Sequence, residues 1–321
     1  MIEIDPAIEA NFHQVLEDHT AGDPMRPEVK WTNLSRRQIA KRITERGTPV
    51  SRHVVSQLLR KHRYRRRKAL KTKTMGPRHK DRNAQFENIA RLKKKYLKAG
   101  LPVISIDTKK KELMGNFYRD GTIDTQETVE VNDHDFASAG AGLVIPHGIY
   151  DVGRNRGFVH LNTSHDTSEL ACDSIAAWWE EEGRASYPRA KQLLVLCDGG
   201  GSNSATRYIF KEELQKLANR LGIEIRVAHY PPYCSKYNPI EHRLFPHVTR
   251  ACRGVIFRSL ETVRYYMSKA ETSTGLKTQV RILEKVYETG RKCAAGFKKT
   301  MKIVFDKILP KWNYRAVPEP A

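Results

Sequence analysis

The sequence predicts an α/β domain preceded by a smaller, all-helical and strongly basic domain. Three observations lead to this fold class. Apolar residues follow helical spacing before residue 100, short apolar strands alternate with helices after it, and the positive charge is concentrated in one block. A chain of 321 residues has room for about two domains of ordinary size, each with its own core.

The charge distribution separates the two parts of the chain. The formal net charge is +21. Residues 30–98 contain 24 Lys and Arg but only three acidic residues, so this block carries the whole net charge and the remainder is balanced. A solvated lysine-rich surface normally mixes both signs. A basic block joined to a neutral body is instead typical of a nucleic-acid-binding module.

Cysteine usage and hydropathy predict a cytoplasmic protein. The five cysteines are scattered, with no Cys-x-x-Cys pair, which favours reduced thiols over a zinc site. The N-terminus has no signal-peptide pattern, and no stretch approaches the ~18 apolar residues of a membrane span. We therefore expect a soluble intracellular protein without a membrane partner.

The basic block contains a helix-turn-helix pattern at residues 30–62, after a short N-terminal segment, 1–29, with one short helix. Ser35 and Gln38 fit a capping box, Gly47 ends the first helix, and Ser51 caps a second helix whose apolar stripe includes Val55. The second helix of such a motif reads the major groove. The residues predicted to face the DNA are Arg52, His53, Ser56, Gln57, Arg60 and Lys61. An ordinary helical hairpin is the alternative.

Residues 63–100 are predicted to form a basic linker followed by an amphipathic helix. A basic arm of this kind can follow a phosphate backbone or a minor groove. The linker residues predicted to bind DNA are Arg65, Arg66, Arg67 and Lys68. A flexible linker with incidental charge is the alternative interpretation.

Residues 101–260 alternate strands and helices. Strands are predicted at 103–106, 193–197 and 223–228, and a hairpin at 145–152 and 158–163. Helices are predicted at 167–182, 207–221 and from Asn238 onward. This order is the ribonuclease-H-like arrangement. A C-terminal helical extension is predicted for 261–321.

Three carboxylates lie at the ends or starts of these elements. Asp107 and Asp198 end separate apolar strands, and Glu241 lies on the helix that Asn238 opens. Each has an ordinary alternative, namely turn acids for the two aspartates and a capping pair with Asn238 for Glu241. Together they fit a phosphodiester chemistry in which two Mg²⁺ ions, or Mn²⁺ as a substitute, are held by oxygen ligands.

The residues around these carboxylates refine the prediction. Gly199, Gly200 and Gly201 are not followed by Lys-Ser or Lys-Thr, so they are not a P-loop and no nucleotide cofactor is expected. The pairs His134-Asp135 and His165-Asp166 are interpreted as local hydrogen bonds, and Glu169 as a surface or capping residue. The flanking cations predicted to hold DNA phosphates are Lys109, Lys110, Lys111, Lys236 and Arg243.

These motifs resemble the Rhodopirellula-type DDE transposases of bacterial insertion sequences. The resemblance is carried by residues 102–112, 133–136, 198–203 and 238–245, and more weakly by 274–277, 287–290 and 312–314. It implies a DDE triad of Asp107, Asp198 and Glu241 in a ribonuclease-H-like domain. It also implies binding to terminal inverted repeats, DNA cleavage and strand transfer by at least a dimer on DNA, and a nucleoid-associated location in a bacterial cytoplasm.

The family usually has more chain before the basic module, so the resemblance also implies an N-terminally shortened copy. Two other functions stay open. One is a ribonuclease-H-like nuclease without strand transfer, which would share the carboxylates. The other is an inactive copy that acts as a DNA-binding repressor through residues 52–61.

Overall fold

The computed structural model describes residues 6–23, 26–67 and 79–319. The chain divides into two compact units, residues 1–73 and 74–321, which are described separately. Within the described residues, no helix is both long and apolar enough to cross a membrane.

The described residues of the first unit form three helices, and local sequence signals set their limits. The helices are α1 (Pro6–Asp18), α2 (Arg36–Glu45) and α3 (Arg52–Lys61). The predicted capping box of α2 is present, since Gln38 N donates to Ser35 Oγ and Ser35 N donates to Gln38 Oε1. Ser51 Oγ accepts from Val54 N at the start of α3. The turn between α2 and α3 includes Gly47, whose φ is +88°.

A two-stranded hairpin lies between α1 and α2, so the prediction that this part of the chain is all-helical is wrong. Strands β1 (Thr20–Asp23) and β2 (Arg26–Thr32) pair antiparallel, with Thr20 opposite Thr32. The sequence of β2 places Val29 and Trp31 in alternation with polar residues, which is a strand pattern. Its partner strand comes directly after α1 and ends at Gly22 and Asp23, which also fit a helix-breaking turn, so the local sequence does not reveal the pairing.

The core of the first unit joins all three helices. In this core, residues of α1 face the buried sides of α2 and α3. The fully or nearly fully buried members are Phe12, Val15, Leu16, Ile39, Ala40, Ile43, Val55 and Leu58. The stripe predicted from helical spacing therefore packs inward, and the polar face of α3 stays outside.

The second unit is a mixed sheet with helices on both faces, as predicted. Its helices are α4 (Arg82–Lys98), α5 (Ser168–Trp178), α6 (Arg184–Ser186), α7 (Tyr208–Leu221), α8 (Pro239–Arg243), α9 (Phe245–Ala251), α10 (Leu260–Ser268) and α11 (Phe297–Thr300). A π-helical turn, Trp179–Gly183, joins α5 to α6. Its strands are β3 (Val103–Thr108), β4 (Glu112–Met114), β5 (Gly142–Asp151), β6 (Arg156–Asn162), β7 (Gln192–Cys197), β8 (Glu224–His229), β9 (Lys277–Ile282), β10 (Ile303–Phe305) and β11 (Asn313–Ala316).

The strand order is β10-β11-β8-β7-β3-β5-β6-β9, and β4 pairs with β5. Strands β3, β7 and β8 are parallel, whereas β5 is antiparallel to both β3 and β6. Consequently β3, β6, β7 and β8 all point the same way, and their C-terminal ends meet at one edge of the sheet.

Alternation along β3 decides what each face contacts. Ile104 and Ile106 point into the large core formed with α5 and α7. Val103 packs in a second cluster with α4, on the opposite face. Helices α8 to α10 form a further core over β5 and β6. Ser105 and Asp107 therefore share the face on which α8 lies.

The extension at 261–321 is not mainly helical, and that prediction is wrong. It contains α10 and α11, but β9 adds parallel to β6 at one edge of the sheet, and β10 and β11 add at the other. The alternation of Thr278 and Val280 with Lys277, Gln279 and Arg281 suits an edge strand. The pairings of β9 with β6 and of β11 with β8 join residues more than 80 positions apart, so they leave only a weak local signal.

Candidate active site

Asp107 lies in β3, the strand at the middle of the sheet. The four residues before it are fully buried, and Asp107 itself is half-buried. It lies opposite Gly148 of β5. Its Oδ1 accepts from Thr108 N at 2.8 Å. One backbone hydrogen bond satisfies only part of a carboxylate that is removed from water.

Asp198 directly follows β7, the strand parallel to β3. Since parallel strands end at the same edge, Asp198 and Asp107 lie beside each other. Gly200 N donates to Asp198 Oδ1 at 3.3 Å. Gly201, the next residue along the loop, has φ of +57°, which disfavours a side chain.

Glu241 lies on the short helix α8 and is hydrogen-bonded to Asp107. The alternative in which Asn238 and Glu241 cap the helix does not hold, because the Asn238 side chain makes no capping hydrogen bond. Asn238 Nδ2 instead donates to Ile106 O at 3.0 Å, and its Oδ1 accepts from Ser105 Oγ at 2.5 Å. Ser105 Oγ also accepts from Ile240 N at 2.9 Å. These bonds fix the start of α8 against β3 and place Glu241 beside Asp107.

Burial raises the pKa of all three carboxyls, and the charges of neighbouring acids raise it further. Burial, then the charges of Asp198 and Glu241, raises the pKa of Asp107 to about 8. Burial is also the main cause of the raised pKa of Asp198 and of Glu241. The hydrogen bond between Glu241 and Asp107 raises the pKa of Asp107 and lowers that of Glu241.

The three carboxylates form an oxygen-only donor set suited to a hard divalent cation such as Mg²⁺. Their ligand atoms do not all lie within 4.8 Å of one another. They are therefore spread over more space than one small ion with three direct ligands would fill. Burial is the largest cause of the three raised pKa values, and a cation bound there would stabilise the ionised carboxylates.

A buried hydrogen-bond chain supports the Asp198 backbone, and no local sequence pattern indicates it. His229 Nδ1 donates to Asp198 O at 2.8 Å, and Tyr314 OH donates to His229 Nε2 at 2.9 Å. Burial lowers the pKa of His229 to about 4, so the ring is neutral and donates through Nδ1 alone. Gln85 of α4 donates to His229 O at 2.8 Å. Strands β7, β8 and β11 are thereby held together behind the site.

A fourth acid, Asp166, lies at the same edge and was left out of the predicted site. Its Oδ1 accepts from Thr108 Oγ1 at 3.1 Å, and its charge contributes to the raised pKa of Asp198. The available signal was its position shortly after β6, which points the same way as β3. His165, the other half of this pair, is structural, since its Nδ1 donates to Tyr287 O at 2.9 Å.

The other polar residues considered from the sequence lie outside this group. Glu169 is ion-paired with Lys285 at 2.7 Å and with Arg291. His134 is largely exposed and lies 3.2 Å from the carboxylate of Asp133.

The five cations predicted to flank the triad have different environments. Lys109 is nearly buried and paired with Glu112, although its charge also lowers the pKa of Glu241. Lys110, Lys111, Lys236 and Arg243 are exposed. Lys111 lines a cleft of about 410 Å³ together with Asp166, Arg207 and Arg291. Lys109 is thus held by an internal partner, whereas the other four predicted cations have exposed side chains.

In the first unit, the predicted DNA-facing residues occupy the outer side of α3. Arg52, His53, Arg60 and Lys61 are exposed, and Ser56 and Gln57 are half-buried. Gln57 Nε2 lies 3.1 Å from His53 Nε2, and Ser56 Oγ donates to Arg52 O. The Lys61 ammonium lies 2.6 Å from Glu9, so an acid of α1 already shares its charge.

The arm after α3 is basic and open to solvent. Arg65, Arg66 and Arg67 are exposed. The predicted contact of Lys68 lies outside the described residues.

Comparison with known proteins gives one match over nearly the whole chain. The family described as the Rhodopirellula transposase DDE domain matches residues 11–318. A search of curated proteins gives no match.

Among solved structures, the chain is similar to several complexes of the Mos1 transposase. The paired-end complex with the left transposon end is 14% identical, with a TM-score of 0.43. The pre-cleavage transpososome and the paired-end complex with Mg are both 15% identical, with TM-scores of 0.44. Each match covers 83% of this chain and 72% of the other. Likenesses this distant assign no reaction.

Proposed function

The chain belongs to the family of Rhodopirellula transposase DDE domains, and from this membership we propose that it cleaves DNA at the ends of an insertion sequence and joins them to target DNA. The observation that carries the proposal is the convergence of Asp107, Asp198 and Glu241 at the C-terminal edge of β3 and β7. Their raised pKa values support a shared catalytic role, since perturbed carboxyls cluster at functional sites.

We further propose that the second unit is ribonuclease-H-like. The order β6-β5-β3-β7-β8, with only β5 running in the opposite direction, supports this classification. In this arrangement the middle strand supplies the first acid, its parallel neighbour the second, and a helix across the sheet the third.

Asp107, Asp198 and Glu241 would hold divalent cations, proposed as two Mg²⁺ with Mn²⁺ as a substitute. Cations bound there would supply Lewis-acid activation of the attacking oxygen and stabilisation of the leaving oxygen. The chain's own contribution is positional. Ser105 and Asn238 hold Glu241 against β3, and His229 holds the backbone of Asp198. Asp107 must release its proton before it can act as a ligand.

DNA recognition is proposed for the other part of the chain. The outer face of α3 would read bases, and the arm at residues 65–67 would contact phosphates. The terminal inverted repeats are the proposed specific site. Because two ends must be cut and joined together, the active form on DNA is proposed to be at least a dimer.

The test is cleavage and joining of DNA that carries the gene's own flanking ends, with Mg²⁺ and with chelator. Asp198→Asn and Glu241→Gln are expected to bind the DNA but to lose about a thousandfold or more in cleavage rate, equivalent to several kcal/mol. Asp133→Asn, at an exposed acid, is the matched control and is expected to react normally.

The outcomes separate the three functions. Joining of the ends by the wild type, lost in both triad variants, supports the transposase. Cleavage without joining would support a nuclease instead. Binding without any cleavage would overturn the catalytic proposal in favour of a DNA-binding repressor.

A further inference from the structure

A second cluster of metal-ligating side chains lies in the first unit, in a part of the chain without a proposed catalytic role. Glu9 and His13 are one turn apart on α1, so both project from the same side of that helix. His62 directly follows α3, at its C-cap. One ligand atom from each of these residues lies within 4.8 Å of the other two.

The contacts within the cluster are close and specific. Glu9 Oε1 lies 2.6 Å from His62 Nε2, and Glu9 Oε2 lies 2.6 Å from Lys61 Nζ. The rings of His13 and His62 meet edge to face, with centroids 4.2 Å apart. Phe12, which is fully buried, stacks on His62 with centroids 5.5 Å apart. The core of the unit therefore fixes the position of His62.

An ion pair accounts for only part of this arrangement. A protonated His62 and Lys61 would both be satisfied by the carboxylate of Glu9. His13 takes no part in this ion pair, and its ring meets the ring of His62 edge to face. Two imidazoles and one carboxylate on rigid elements are instead a common donor set for a first-row transition metal.

We propose that Glu9, His13 and His62 bind one transition-metal dication of the zinc class. Imidazole nitrogen favours Zn²⁺, Ni²⁺ or Cu²⁺ over Mg²⁺, so the site differs in selectivity from the carboxylate group of the second unit. Three protein ligands leave a fourth position for water. Ligation requires neutral imidazoles.

The site would tie α1 to the end of α3. The next residue, Arg63, has φ of +61°, and the basic arm begins there. A metal at His62 would thus fix the point at which the chain leaves α3. This structural role does not depend on the catalytic proposal.

The experiment is Zn²⁺ binding to the full chain after chelator treatment, in competition with a chromogenic indicator. It is done in the Asp198→Asn/Glu241→Gln background, so that the carboxylate group contributes little. One equivalent of Zn²⁺ is expected to bind. His13→Gln and His62→Gln are each expected to weaken binding by at least about tenfold, the size of effect that follows loss of a ligand or of its supporting contacts.

His134→Gln, at an exposed histidine of the second unit, is the matched control and is expected to leave Zn²⁺ binding unchanged. Circular dichroism checks that each variant is folded, and His13 is exposed, so its replacement disturbs no core. As a second readout, Co²⁺ is expected to give visible ligand-field absorption that disappears in His13→Gln.

Zn²⁺ affinity that is equal in the parent and in folded His13→Gln would overturn the proposal. The cluster would then be an ion pair of Glu9 with Lys61 and His62. Loss of binding in His134→Gln as well would also overturn it, since the metal would be held nonspecifically by surface histidines.

Discussion

Ser105 Oγ lies 2.5 Å from Asn238 Oδ1, and this buried contact joins the middle strand of the sheet to the helix that carries Glu241. Both side chains are fully buried. Asn238 uses its amide group as well, donating to Ile106 O one residue before Asp107. The distance between two of the three proposed catalytic acids is thus set by two neutral, fully buried side chains.

Replacement of Asn238 by Asp is expected to disturb this geometry. The carboxylate can still accept from Ser105, but it meets the Ile106 carbonyl with an acceptor where the amide donated. A buried unsatisfied acceptor costs about 1–3 kcal/mol, or more when charged. We expect a lower melting temperature and a fall in the DNA cleavage rate that exceeds any change in DNA binding.

The DNA cleavage rates of Ser105→Ala and Ser174→Ala are compared to test whether Ser105 positions α8. Ser174 is also fully buried, but its hydroxyl has no hydrogen-bond partner among the described residues. If Ser105→Ala and Ser174→Ala reduce cleavage equally, Ser105 has no special role in holding α8.

The contact between Ser105 and Asn238 also shows which features can be predicted from the sequence and which cannot. The capping box of Ser35 and Gln38 was predicted correctly because both partners lie within one helical turn. Asn238 and Glu241 have the same local pattern, but the partner of Asn238 is 133 positions away. Only the packing of α8 on β3 decides between the two arrangements.

Long-range strand pairing explains the other differences between the predicted and the observed structure. Strands β3, β7 and β8 could be predicted because buried parallel strands are continuously apolar. The edge strand β9 is mostly polar, and its partner β6 precedes it by more than a hundred residues. Likewise, Asp166 reaches the site through the direction of β6, which no local pattern encodes.

The raised pKa of Asp107 predicts that stability falls as pH rises. The unfolded carboxyl ionises near 3.8, whereas the folded one keeps its proton up to about pH 8. Between these values the folded state holds the extra proton, so raising the pH through this window destabilises it. Asp107→Asn is expected to flatten this dependence and to be more stable than the wild type at pH 8 in chelator.

Urea unfolding at pH 5, 6.5 and 8 measures this effect. Adding Mg²⁺ at pH 8 is expected to stabilise the wild type but to have much less effect on Asp107→Asn. Asp133→Asn serves as the control, because its carboxylate is exposed. Parallel pH profiles for wild type and Asp107→Asn would show that Asp107 is ionised in the folded chain.

Two histidines in the core predict a separate loss of stability in acid. His147 and His160 lie opposite each other in β5 and β6 and are almost completely buried. Burial lowers their pKa values to about 4 and about 3. As pH falls from 6.5 towards 4, the unfolded chain gains protons that the folded chain cannot accept, so stability decreases.

His147→Leu tests this prediction, because neither ring nitrogen of His147 has a hydrogen-bond partner among the described residues. We expect the variant to unfold at a higher temperature than the wild type at pH 5, with a smaller difference at pH 7.5. His134→Leu, at an exposed site, is expected to show no such pH dependence. A wild-type advantage that grows in acid would contradict the assignment.

The separation between base contacts and phosphate contacts predicts different effects of salt on DNA binding. Each phosphate contact contributes about 0.9 to the slope of log binding constant against log salt concentration. Replacing Arg65, Arg66 and Arg67 by Ala is therefore expected to reduce that slope by up to about 2.7. Gln57→Ala on α3 is expected to leave the slope unchanged but to reduce the preference for the terminal repeat over unrelated DNA.

The matched control replaces three exposed cations near the C-terminus, Lys299, Lys302 and Lys307. If this control lowers the slope as much as the arm variant does, the arm is not a specific phosphate contact, and the positive charge of the chain acts only as a general attraction for DNA.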